Sequence, residues 1–111
     1  MGNATEKYTY RVEWSEEDSA HVSRCLEFPS LAAHGNTVGD ALANIMLAVE
    51  ESVKWLAEEG APVPVPFGMK SYKGNISLRI PAETHRKLAM QSAEAGVSVN
   101  QFILSKLSAQ A

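Results

Sequence analysis

One cysteine, no long apolar run and no glycine-rich phosphate loop are the first facts of this 111-residue chain. A single Cys25 excludes an internal disulfide, so a reducing cytoplasm is the expected setting. No segment approaches the roughly 18 apolar residues that a membrane span needs. The opening MGNATEKY is too polar for a secretory signal. His21 and Cys25 fall on one face of a strand. Four residues at about 3.3 Å each hold them about 13 Å apart, too far to share a zinc ion. Two-metal hydrolysis needs several carboxylates converging on cations about 4 Å apart. Here Glu16, Glu17 and Asp18 cluster in a turn, while Glu50, Glu51, Glu58 and Glu59 lie on the polar side of a helix. These acids read as solvated faces, so no catalytic residue, metal or cofactor is expected. Cys25 has no histidine and acid partners in a nucleophile motif and reads as a small core hydrophobe.

The chain does hold an uneven charge distribution. Residues 1–66 carry four Lys/Arg against eleven acidic residues, a balance of −7, while residues 67–111 carry six against two, a balance of +4. An acidic front and a basic back imply different partners. Hydrophobic content of 45% is ordinary for a soluble globular protein.

Along the chain, Tyr8, Tyr10, Val12 and Trp14 alternate with polar residues, the pattern of a half-buried strand. Ala20 to Leu26 reads as a second strand, completing a hairpin. Pro29 marks residues 27–30 as a loop, since proline interrupts a central strand. Leu31 to His34 reads as a short third strand ended by Gly35-Asn36. Thr37 precedes Asp40 by three residues, an approximate capping box. Val38, Ala41, Leu42, Ile45, Val49, Ser52, Val53 and Leu56 then mark one stripe of a long helix that Gly60 ends. Pro62, Pro64 and Pro66 favour an extended strap. The expected division is residues 1–66, a linker at 67–74 and a second domain at 75–111.

In that last part Ile76, Leu78 and Ile80 alternate with Asn75, Ser77 and Arg79, giving a strand with one apolar and one hydrogen-bonding face. Pro81 ends it and suits the first turn of a helix. Gly96 breaks that helix near Ala95, and Ser98 caps another. One strand and two short helices cannot bury their own apolar face, so two copies must pair. This strand-helix-helix order, with NISLRIP followed by a glycine and SVN, resembles the ribbon-helix-helix proteins of the Arc repressor class over residues 73–107.

The N-terminal order β-β-β-α resembles the HicB antitoxin family, whose fold is a partial ribonuclease-H-like unit. The resemblance rests on Phe28-Pro29-Ser30-Leu31, Gly35-Asn36-Thr37, Asp40-Ala41-Leu42-Ala43-Asn44, Glu58-Glu59-Gly60 and the proline strap. Ala32-Ala33-His34 departs from the family's Pro-Gly-Cys step. The expected fold class is thus α+β, with the β-β-β-α domain followed by a β-α-α ribbon-helix-helix.

The resemblance implies an antitoxin of a type II toxin–antitoxin pair, and no enzyme. Its acidic domain would neutralise a small basic HicA-like mRNA-cleaving toxin by direct binding. Its C-terminal domains would form a homodimer on operator double-stranded DNA and repress their own operon. Dimer and tetramer both remain open. By resemblance Asn75, Ser77 and Arg79 occupy the base-reading positions, and their side chains suit base edges. Lys73 would touch phosphate, as would the free N–H groups of Ser98, Val99 and Asn100 at a helix N-terminus. Ile76, Leu78, Ile80, Leu88, Val99, Phe102, Ile103 and Leu107 would form the shared dimer core. Two other readings stay open: a repressor without a toxin, and a degraded nuclease.

Overall fold

A computed structural model of the protein describes residues 4–109. The architecture is α+β, a three-stranded antiparallel sheet followed by three helices. The chain divides into two compact units, Met1–Tyr72 and Lys73–Ala111.

In the first unit, a 3-10 turn at Ala4–Lys7 leads into β1 (Tyr10–Ser15), β2 (Ala20–Cys25) and β3 (Phe28–Gly35), in sheet order β1-β2-β3. The register sets Tyr10 opposite Cys25, Val12 opposite Ser23 and Trp14 opposite His21. It continues across the sheet with Ser23 opposite Ala33 and His21 opposite Gly35. β3 begins three residues earlier than expected and contains Pro29. The reason is position: β3 is an edge strand, and an edge tolerates a residue with no N–H to donate.

The long helix α1 (Val38–Glu58) packs on one face of this sheet. Thr37 caps it, its hydroxyl accepting from the Asp40 N–H at 3.0 Å. At the far end Gly60 takes φ +67. Its N–H donates to the Ala57 carbonyl and that of Ala61 to Leu56, the paired bonds of a Schellman end. Ala41, Ile45 and Val49 are fully buried at spacings of four residues. Tyr8, Cys25 and Phe28 complete the core, with Tyr8 edge-on to Phe28 at 5.2 Å between ring centres. Cys25 is buried and free, and burial pushes its thiol up, consistent with a packing role. Gly35 is required by close approach: a Cβ there would stand 2.7 Å from the Asp40 carbonyl carbon, against the helix backbone.

The second unit contains α2 (Ala82–Ala95) and α3 (Val99–Ser108). Gly96 adopts φ +72 and closes α2, its N–H donating to the Ala93 carbonyl. The Ser98 hydroxyl caps α3 by accepting from the Gln101 N–H at 3.0 Å. Residues 75–80, whose alternation predicts a strand, form none in the single chain. A strand is defined by a hydrogen-bonded neighbour, and these residues have no neighbouring strand within their own unit.

Candidate functional site

The two units differ in what they leave bare. In the C-terminal unit, the only buried residue among those described is Ser92, whose hydroxyl donates to the Ala89 carbonyl. Ile76 is 87% exposed and Leu78 77%, while Leu104 and Leu107 are also open to solvent. Leu88, Val99, Phe102 and Ile103 are half-buried, and Ile80 lies at the edge of exposure. These side chains were expected in a shared core, and none of them is buried in the single chain.

The bare residues are not scattered. Gly74, Asn75 and Ile76 line a shallow groove of about 320 Å³ together with Asn100, Ile103, Leu104 and Leu107 of α3. The groove thus gathers Ile76, Ile103 and Leu107 from the expected core, and Asn75 and Asn100 from the expected DNA contacts. Leu104 was missed by sequence reasoning. Its spacing was visible: residues 100, 103, 104 and 107 repeat as one helical stripe.

Asn75, Ser77 and Arg79 are all exposed, as are Lys73, Ser98 and Asn100. Ser98 is engaged by its capping bond, and Val99 is half-buried. Arg79 is in no ion pair among the described residues. Arg86, by contrast, is held on α2 by Glu83, which keeps the Glu83 carboxyl below its usual range. Of these two arginines, the uncommitted one is on the alternating segment.

Residues 64–107 match the model of the HicB family. The match supports HicB-family membership, and that family is generally the antitoxin of toxin–antitoxin systems. It begins at Pro64 in the strap and runs through the whole of α2 to Leu107 near the end of α3. It therefore lies mainly on the C-terminal unit, and meets the β-β-β-α region that carries the sequence resemblance only at the strap. No curated protein and no solved structure matches the chain.

In the N-terminal unit, Glu27 is the buried carboxylate. Its Oε1 accepts from the Thr9 N–H at 2.9 Å, and its Oε2 accepts from the Thr9 hydroxyl at 3.0 Å and the Phe67 N–H at 2.9 Å. Burial pushes this carboxyl up, but the N–H donors of Phe67 and Thr9 outweigh it and hold the group below its ordinary value. The Tyr8 hydroxyl donates to the Pro64 carbonyl at 2.7 Å. Together the two residues fasten the proline strap to the start of β1. Sequence reasoning placed Glu27 in a loop and overlooked this role, because a clamp joining residues 9, 27 and 67 has no local signature.

The acidic cluster Glu16, Glu17 and Asp18 is exposed in the β1–β2 turn, where Asp18 pairs with His34 at 3.4 Å. Asp40, Glu51, Glu58 and Glu59 are exposed along or just beyond α1, near the exposed Leu47 and Trp55. Among the described residues no group of three or more His, Cys, Asp or Glu is arranged to hold a metal ion. No described helix is long and apolar enough to cross a membrane.

Proposed function

We propose that this protein is the antitoxin of a type II toxin–antitoxin pair, acting through two separable surfaces. The observation that carries the reading is the HicB-family match, which falls on a unit whose apolar residues are bare in a single copy. Pairing two copies along residues 75–80 would give each strand its missing neighbour and cover Ile76, Leu78 and Ile80. Because successive side chains alternate, the same pairing presents Asn75, Ser77 and Arg79 on the opposite face. A two-stranded ribbon fits the major groove, where arginine reads guanine and asparagine reads adenine. Lys73, Ser98, Val99 and Asn100 supply phosphate contacts that fix the ribbon on the duplex. The acidic N-terminal unit binds a small basic HicA-like ribonuclease and occludes it, and operator binding by the paired C-terminal units represses the operon.

Two measurements test the reading. Co-expression with the product of the adjacent gene, followed by pull-down on this protein, should recover a stable complex that suppresses that product's toxicity. Operator titration against a scrambled duplex should show that Arg79→Ala loses about 1–3 kcal/mol of discrimination per half-site. Wild-type preference in Arg79→Ala would remove the ribbon as the reading element. Absence of any co-purifying toxin, with operator binding intact, would leave a repressor alone.

A further inference from the structure

The outer side of α1 is not that of a helix meant only for water. Ala41, Ile45 and Val49 face the sheet and are fully buried. At about 3.6 residues per turn, the stripe directly opposite them runs through Asp40, Ala43, Leu47, Glu51 and Glu58, with Trp55 on its border. A solvated helix face is filled with charged and polar residues. Here Leu47 is 57% exposed and Trp55 62%. The two stand about two turns, or about 12 Å, apart along the helix. One exposed apolar residue is ordinary, but a leucine and a tryptophan on one outward face serve no purpose in a free helix.

The acids are arranged around these two side chains. Glu51 lies between them, while Glu58 and Glu59 follow Trp55, and all three are exposed. None is in an ion pair among the described residues, and Lys54, the one cation of α1, neutralises none of them. At its N-terminal end the stripe runs into a cleft of about 380 Å³ between β3 and α1, where Asp40, Ala43 and Asn44 face His34 and Asn36. The other side of the unit has the opposite sign. Tyr10 and Cys25 pair on the sheet face that packs on α1. Successive side chains alternate, so the next pair, Arg11 opposite Arg24, stands on the face turned away from α1. Both arginines are exposed, and neither is in an ion pair among the described residues.

We infer that the outer stripe of α1, and not the open face of the sheet, receives a small basic protein. Leu47 and Trp55 enter apolar recesses on that partner, tryptophan being the residue most often found as such an anchor. Its lysines and arginines meet Glu51, Glu58 and Glu59, and one cationic side chain reaches Asp40 at the mouth of the cleft. On the sheet face, Arg11 and Arg24 would set like charge against the same partner, which is costly. The inference rests on the toxin-binding role proposed above and names the face that performs it.

The test uses the full chain, with the co-expressed product of the adjacent gene as the probe. Leu47→Ala and Trp55→Ala should each weaken the complex about 30-fold, the loss that truncating an interface anchor brings. Both side chains are exposed, so the circular dichroism spectrum and the urea midpoint should stay at their wild-type values. Glu51→Lys combined with Glu58→Lys should slow association and abolish its dependence on salt. Arg11→Ala combined with Arg24→Ala should not weaken the complex. Wild-type affinity in both Leu47→Ala and Trp55→Ala overturns the assignment to α1, as does loss of the complex in the double arginine variant. If the wild-type chain itself recovers no partner, the toxin-binding role fails and this face fails with it, an outcome distinct from a complex that ignores Leu47 and Trp55.

Discussion

The N-terminal unit folds around Ile45, Val49, Cys25, Phe28 and Tyr8, while the C-terminal unit buries no large apolar side chain among its described residues. The helices of both units are capped by the same devices. Thr37 and Ser98 each accept an N–H three residues on, and Gly60 and Gly96 both take positive φ at helix ends. Local signals are thus equally good in the two halves. What differs is the surface left after local structure has formed. A 21-residue helix can lay its stripe on a three-stranded sheet, whereas two short helices and an unpaired segment have no second layer to pack on. Helices of 14 and 10 residues are marginal without tertiary packing, so the proposed pairing would supply the C-terminal unit with packing that the N-terminal unit finds within one copy.

The largest effect is expected for Ile76→Lys. A charge on the bare apolar face should abolish pairing of the C-terminal units and with it operator binding. Amide exchange should then lose protection across α2 and α3 while the amides around Ile45 and Val49 keep theirs. Retained protection in α2 and α3 would show that this unit is stable alone. Next in size, Ile45→Ala should cost the N-terminal unit about 2–5 kcal/mol in denaturant unfolding. The capping-stabilised helices of the C-terminal unit should be untouched, and equal loss in both units would show that they unfold as one.

Glu27→Gln sharpens the account of the strap. Replacing a charged acceptor of backbone N–H groups should cost roughly 1.5–3 kcal/mol at neutral pH. The pH dependence has a definite sign. The folded carboxyl lies below its ordinary value of 4.5, so between the two values the unfolded chain holds the proton and the folded chain does not. Stability from this group is present above pH 4.5 and is lost as pH falls through the folded value. Wild type should therefore show an acid loss in this window that Glu27→Gln lacks. Equal acid profiles would mean that the clamp does not depend on charge. The smallest effect is expected for Lys73→Ala. Operator affinity should weaken equally for all sequences, and the salt dependence should flatten by about one charge for each phosphate that Lys73 neutralises. A change in sequence preference would move Lys73 from phosphate to base contact.

Much of the fold was legible because its causes are local. The alternation from Tyr8 to Trp14 marks β1, which opens two residues later at Tyr10, the stripe through Ala41, Ile45 and Val49 marks the buried face of α1, and Thr37, Gly60, Gly96 and Ser98 mark helix ends. Pro29 misled, because a single residue does not say whether its strand is central or at an edge. The candidate DNA-facing segment was legible as a pattern, since Asn75, Ser77 and Arg79 alternate with three apolar residues.

The sequence by itself determined the helices, their ends, the hairpin and the division of charge, since each depends on residues a few positions apart. Only the tertiary structure decided that Glu27 ties residue 9 to residue 67, that Gly35 lies against the α1 backbone, and that β3 is left as an open edge. Those features depend on residues distant in the chain meeting in space, and no local periodicity encodes which backbone groups find a partner and which remain free.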